Sequence, residues 1–481
     1  MTGIIARTLV LCLCLGLGLA APRGGAAGAA GTTTAAPQGG AAGAGGTTTA
    51  APQGGIFPFA VKVETLENGL KVVSLPLSNP NIISYYTIVR SGSRNEIEPG
   101  KSGFAHFFEH MMSKGTKQVP RAAYGDFLAR LGAGTNSATT DDFTCYSVVF
   151  AGRDSLENVV RTEADRFINL APSEDMLRTE AAVIESEYYA GASDPARRLI
   201  ETLRDTAFER HPYKHTTLGS LKDIQELPNQ YEYSLLYKKR FFAPDNTILL
   251  VAGDFDPAQL AAFVRKYYGA WKISNYDLQT PVEPPQEKAR RARIAGPAGA
   301  PARIAVGFHG PAFSDTAADK AALDLLAELS FASASPLYQK LVNKDRTCRS
   351  LTADFPDTRD PSLFVISAVV NNEGDLPTVE AEILKELERV KAEPAPAARL
   401  ADVKSRRKYA LARALETTDG AAATLAFYLN LTGDPGTVNR IFNLRDRVSP
   451  RDIQDAARKY FKPSNSATVT LTGEAAKGET P

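Results

Sequence analysis

The chain has 481 residues, 55 of them basic and 54 acidic, for a net charge of +1. That balance gives no drive toward nucleic acid or an anionic membrane. Histidine is scarce at 5 residues, so two of them falling close together carry information.

Residues 1–20 read as an export signal. Arg7 supplies the positive charge, Thr8 to Leu19 an apolar run, and Gly18-Leu19-Ala20 small residues for cleavage. The run is too short to span a bilayer, and no later segment is long enough, so the expectation is an exported protein, periplasmic or secreted, without a membrane span. Residues 26–40 and 41–55 are a tandem duplication that differs only at Ala30 versus Gly45. With no large apolar side chain to bury, the 21–56 tract is expected to be a disordered tether. The roughly 425 residues that follow are too many for one core and suit two domains.

Strand patterns cover 69–75, 82–89 and 143–150, and helical periodicity covers 103–112, 122–131, 156–170 and 173–189. Strands and helices mixed without regular βα alternation predict an α+β fold. The helix at 103–112 contains His106-Phe107-Phe108-Glu109-His110. Histidines four apart stack one turn above the other, so two imidazoles can reach one metal ion from a single rigid element. Glu109 lies on the same side, within reach of a water on that metal. The spacing is H-x-x-E-H, the inverse of the zinc-protease signature H-E-x-x-H. The alternative is a pair of surface histidines on an ordinary amphipathic helix.

A catalytic zinc takes three protein ligands and a water. The segment Arg178–Glu187 holds candidates for the third: Glu180 and Glu187 share a helix face, and Glu185 points nearly the opposite way. A solvated acidic face is the competing explanation. Gly134-Thr135-Asn136-Ser137-Ala138-Thr139 reads either as a polar hairpin entering a core strand or as a strand that meets substrate.

An internal repeat sets the domain organisation. Phe242-Ala243-Pro244-Asp245-Asn246 precedes an apolar run ending at Gly253, and Phe461-Lys462-Pro463-Ser464-Asn465 precedes another ending at Gly473. Each follows a basic helical stretch and reads as a turn into a strand. Two similar domains of about 200 residues are expected, at 57–280 and 303–476 with a linker at 281–302, each a mostly antiparallel sheet packed with helices. Cys145 and Cys348 fall one in each half, and their pairing is left open.

The motif at His106–His110, with Glu187 lying 77 residues beyond, resembles the pitrilysin/insulinase family of zinc peptidases, which includes the mitochondrial processing peptidase. The likeness spans about 57–475 and takes in Gly100–Ala105, Lys114-Gly115-Thr116, Glu187-Tyr188-Tyr189, His211-Pro212-Tyr213 with Gly219, and the Pro244–Gly253 segment. It implies one Zn²⁺ per chain on His106, His110 and Glu187, Glu109 as general base, and Glu180 as an assisting acid. It also implies that Asn136, Ser137 and Thr139 belong to an edge strand on which a peptide or unfolded polypeptide adds as a further strand. Two departures matter. The second half has Leu325-Leu326-Ala327-Glu328-Leu329 where the motif would fall, and Val342 and Arg349 where active members place an Arg and a Tyr. The resemblance therefore implies a heterodimer whose second, homologous subunit supplies the Arg/Tyr pair. A catalytically silent assembly subunit and a metal-dependent hydrolase of non-peptide bonds are the other readings.

Overall fold

The computed structural model describes the main chain at 47–50 and the whole of 55–473. The expected export signal and most of the 21–56 tract lie outside these residues. Twelve strands among the described residues form two sheets. In chain order they are β1 Thr47–Ala50, β2 Val61–Thr65, β3 Lys71–Pro76, β4 Ile82–Val89, β5 Gly134–Thr139, β6 Thr144–Ala151, β7 Thr247–Gly253, β8 Arg290–Ala295, β9 Arg303–His309, β10 Cys348–Asp354, β11 Leu363–Val370 and β12 Ser466–Thr472.

The first sheet runs β1-β2-β3-β7-β4-β6-β5 and the second β10-β11-β9-β12-β8. Read from β3 and from β8, the strand order is the same. β3 pairs parallel with β7, and β8 pairs parallel with β12, while all other neighbours are antiparallel. The two halves are thus α+β units of one design. The sequence repeat is their shared junction from a helix into the strand of the parallel pair that comes later in the chain, β7 or β12. Pro244 and Pro463 each open a short turn. Asn246 Nδ2 donates to Phe241 O at 2.9 Å, and Asn465 Nδ2 to Tyr460 O at 2.8 Å. Each amide thereby caps the end of the helix it follows.

Two stretches differ from expectation. Thr47–Ala50, inside the tract expected to be disordered, forms β1 against β2, from Thr47↔Glu64 to Ala50↔Val61. Main-chain pairing at a sheet edge needs no large side chain, and threonine suits a strand. Arg290–Ala295, inside the expected 281–302 linker, is β8. Its arginines disguised it, as charge commonly does on an edge strand, and Arg291 and Arg293 pair with Glu380 and Glu373.

The middle of the first sheet is buried on both faces, as β4 and β7 show. Ile83, Tyr85 and Val89 of β4 face a core that includes the 104–111 helix, whereas Tyr86 and Ile88 face a core shared with the second half. The second half supplies the cover there, the Thr418–Thr432 helix. Tyr86 Oη donates to Asp419 Oδ1 at 2.7 Å, and Arg90 Nε to Asn430 O at 3.2 Å. The exchange is reciprocal. Leu199, Leu203 and Ala207 of the Pro195–Ala207 helix pack on Ala305, Ala467, Val469 and Leu471 of the second sheet. Cys145 and Cys348 are both buried free thiols. Among the described residues no helix is long and apolar enough to cross a membrane.

Candidate metal centre and active site

The motif helix spans Phe104–Met111. Phe104, Phe107, Phe108 and Met111 face the core, which leaves His106, Glu109 and His110 on the other side. Both ends of the helix are tied down. At the N-terminus the buried Glu96 carboxyl group accepts from Gly103 N at 2.8 Å and Ala105 N at 2.7 Å, while burial pushes that carboxyl well up. Gly103 takes φ +92°, and a Cβ there would stand 2.8 Å from Leu218 O, so the close crossing requires glycine. Beyond the C-terminus, buried Arg166 reaches Met112 O at 3.5 Å while paired to Glu163 and stacked beside Tyr146.

The third arm comes from the distal-acid helix, Glu174–Ala192. Ser173 caps it, accepting from Met176 N at 3.2 Å, with Glu174 and Asp175 in the first turn. Two turns in, Glu180 is buried against His110, its Oε1 2.8 Å from Nδ1, and it also pairs with Lys114. Burial would raise its carboxyl, but the His110 and Lys114 bonds hold it below the usual range. Glu187, two turns further, is about half exposed and places Oε2 3.6 Å from His110 Nε2.

His106, His110 and Glu187 offer ligand atoms that all lie within 4.8 Å of one another, the one such group among the described residues. The imidazoles stand edge to face at 4.7 Å between centroids. The donor set fits a zinc ion. Burial first, and His110 second, push His106 down to about 3, so its ring is neutral as a ligand must be. His106 Nδ1 is buried with no hydrogen-bond partner in the protein. Burial would lower His110, but the Glu180 bond and the surrounding carboxylates outweigh it. A carboxylate on Nδ1 also fixes the tautomer that presents Nε2 toward Glu187. Removing that support in Glu180→Gln is expected to weaken zinc binding about 10–100-fold, read by competition with a chromophoric chelator.

Glu109 stays outside the ligand group. Its carboxylate accepts from Ser137 Oγ at 2.8 Å and Thr139 Oγ1 at 2.6 Å. Burial pushes the carboxyl up, and the two hydroxyls work against that rise. The side chains of Ser137 and Thr139, two of the residues on the expected substrate strand, hold Glu109 in the structure. β5 is the outermost strand beside the motif helix, and among the described residues no strand pairs with its other edge. Asn136, one residue before Ser137, points to the opposite face. Reasoning from sequence missed Glu96, Arg166 and the Lys114 contact, because each is a partner brought by the fold.

The second half holds no comparable group among the described residues. Leu325, Leu326 and Leu329 are core residues of the Ala318–Phe331 helix. Val342 lies against the second half's core, and Arg349 Nε donates to Asn371 Oδ1 at 3.2 Å on the second sheet.

Two matching α+β units, one carrying a His-His-Glu cluster on an inverted motif, define a class of peptidase-like chain whose halves have diverged. The chain belongs to the insulinase family, peptidase family M16. Residues 75–221 match that family's description and residues 231–407 match its "Peptidase M16 inactive domain". It is 30% identical over 415 residues to "Zinc protease PqqE" of Helicobacter pylori, covering 85% of this chain and 91% of that protein. It is also 30% identical over 205 residues to "Probable mitochondrial-processing peptidase subunit beta" of Schizosaccharomyces pombe, covering 43% of this chain and 45% of that protein. Among solved structures, a protease from Helicobacter pylori superposes with a TM-score of 0.79 at 28% identity, covering 85% of this chain and 99% of that one. The periplasmic protease PqqL from Escherichia coli shares the fold at a TM-score of 0.69 and 19% identity, with 86% of this chain spanning 48% of that one.

Proposed function

We propose that the chain is a zinc endopeptidase, with zinc held by His106, His110 and Glu187. The observation that carries this reading is the convergence of those three side chains beside a buried carboxylate that two hydroxyls hold in place. When bound, zinc supplies Lewis acidity, bringing the pKa of a water toward about 7 and polarising the scissile carbonyl. Glu109 takes the proton of the attacking water and passes it to the leaving amine. Glu180 keeps His110 in its ligating tautomer. The unpaired edge of β5 aligns an extended peptide through main-chain hydrogen bonds, with Asn136 toward the opposite face.

The proposal extends to a partner. No Arg/Tyr pair stands at 342 and 349, and PqqL, a neighbour in fold, carries about twice this length in one chain. A homologous subunit with that pair would complete the enzyme. The export signal read at 1–20 supports work outside the cytoplasm. The test is metal analysis together with peptide hydrolysis by the purified chain, alone and mixed with such a subunit. One zinc per chain and chelator-sensitive cleavage that rises on mixing is the expected result. Absence of metal at neutral pH overturns the peptidase reading, and full-rate cleavage by the monomer overturns the partner.

A further inference from the structure

The loop 355–362, between β10 and β11, reaches from the second half into the first. Arg359 N donates to Asp142 Oδ2 at 2.7 Å. The Asp360 carboxylate accepts from His211 Nε2 at 2.9 Å and from Arg94 Nε. His211 Nδ1 accepts from Tyr213 N at 3.0 Å, which leaves the proton on Nε2 and fixes the direction of its bond to Asp360. Tyr213 closes the ring. Its hydroxyl donates to Asp142 Oδ1 at 2.6 Å and accepts from Asp360 N at 3.3 Å. Glu283 secures the same corner by accepting from the main-chain N–H groups of Glu209, Arg210 and His211 at 2.7–2.9 Å.

The location of Asp142 gives this cluster a bearing on catalysis. It lies in the turn from β5 to β6, where Thr140 N donates to Phe143 O at 2.8 Å. Its neighbour Asp141 accepts from both terminal nitrogens of Arg204. Just before that turn, Ser137 and Thr139 grip Glu109. A second path runs along residues 92–96. A Cβ on Gly92 would stand 2.3 Å from Thr140 O, so this segment lies flush on the turn. Arg94 N donates to Asp141 O at 2.8 Å, and Glu96 caps the motif helix. Both elements that determine where the Glu109 carboxylate sits are therefore fastened to one polar cluster. The second half completes that cluster with two main-chain amides and one carboxylate.

We propose that Asp360 is a positioning residue for Glu109, by which the half without metal ligands holds β5 and the motif helix in register with each other. The inference rests on the peptidase reading of the site. A contact that merely joins the halves would behave like the Tyr86–Asp419 bond, which also crosses between them but ends on β4 and makes no bond to residues 134–143. The experiment compares Asp360→Asn, Tyr213→Phe and Asp419→Asn in the full chain. Each is followed by zinc content, kcat, KM and hydrogen exchange of residues 134–143. The first two variants are expected to lower kcat about tenfold or more at unchanged KM and zinc content, and to speed exchange in 134–143. Asp419→Asn is expected to do neither. Tyr213→Phe removes a single hydroxyl and keeps the test open if Asp360→Asn fails to fold. The proposal is overturned if kcat stays within twofold in the folded variants, if zinc is lost along with kcat, or if Asp419→Asn matches them. Should the parent cleave no peptide even with the homologous subunit added, the peptidase reading fails on its own, and exchange in 134–143 alone decides the positioning role.

Discussion

Glu109→Gln protein is expected to bind zinc as the parent does while hydrolysing peptide about 10²–10⁴-fold more slowly, the share that a positioned general base contributes. Metal retention follows from geometry. The proposed ligand atoms belong to His106, His110 and Glu187, and Glu109 is instead hydrogen-bonded to Ser137 and Thr139. Glutamine has the same shape and can keep a bond to each hydroxyl, because hydroxyls donate and accept. What it cannot do is take a proton. Metal analysis beside single-substrate kinetics reads both halves of the prediction. Turnover within tenfold of the parent would remove Glu109 from the mechanism, and loss of zinc would show it to be part of the ligand shell.

The second large effect lies far from the metal. Lys320 is 1% exposed inside the Ala318–Phe331 helix. Its Nζ pairs with Asp324, lies 2.7 Å from Asp357 Oδ1 and donates to Phe355 O at 2.9 Å. Arg445 Nη2 completes the group at 2.7 Å from Asp324 Oδ2 and 3.1 Å from Asp357 Oδ2. Two buried cations thus balance two buried carboxylates. Lys320→Met leaves one arginine facing both acids, and breaking a buried set in this way costs about 3–5 kcal/mol. Urea unfolding followed by far-ultraviolet circular dichroism should show the midpoint fall, and a change below about 1 kcal/mol would mean that water already reaches the cluster. The acid side has a definite sign. Burial would raise the Asp357 carboxyl, yet Lys320 and Arg445 hold it below its usual value. A depressed carboxyl stabilises the fold at neutral pH and withdraws that stability as pH drops below about 4. The parent should therefore lose stability through that range more steeply than Lys320→Met does.

Periodicity made the motif legible because one helix carries both imidazoles, and four-residue spacing fixes their relation before any tertiary structure exists. Glu187 was readable only in part. Spacing put it on a face with Glu180, and the fold decided that Glu180 turns to His110 Nδ1 while Glu187 meets Nε2. Ser137 and Thr139 show why the rest stayed hidden. Alternation along β5 put them on one face, but whether that face met a substrate or Glu109 depended on where the motif helix came to rest. The 318–331 helix looked plainly apolar from Leu325 to Leu329. Its buried Lys320 became meaningful only when Asp357 and Arg445 arrived from distant segments. The repeat at Asn246 and Asn465 revealed two matching units and gave no hint that each covers the other's sheet.

That mutual covering has a consequence for biogenesis. β3 is complete at Pro76, yet its parallel neighbour β7 begins only at Thr247, and the helix that shields the far face of their sheet is not made until Thr418–Thr432. A chain emerging N-terminus first therefore carries an unfinished, sticky sheet for most of its synthesis or transit. The cover over the sheet of the half that carries His106, His110 and Glu187 is thus completed only by one of the last helices of its companion.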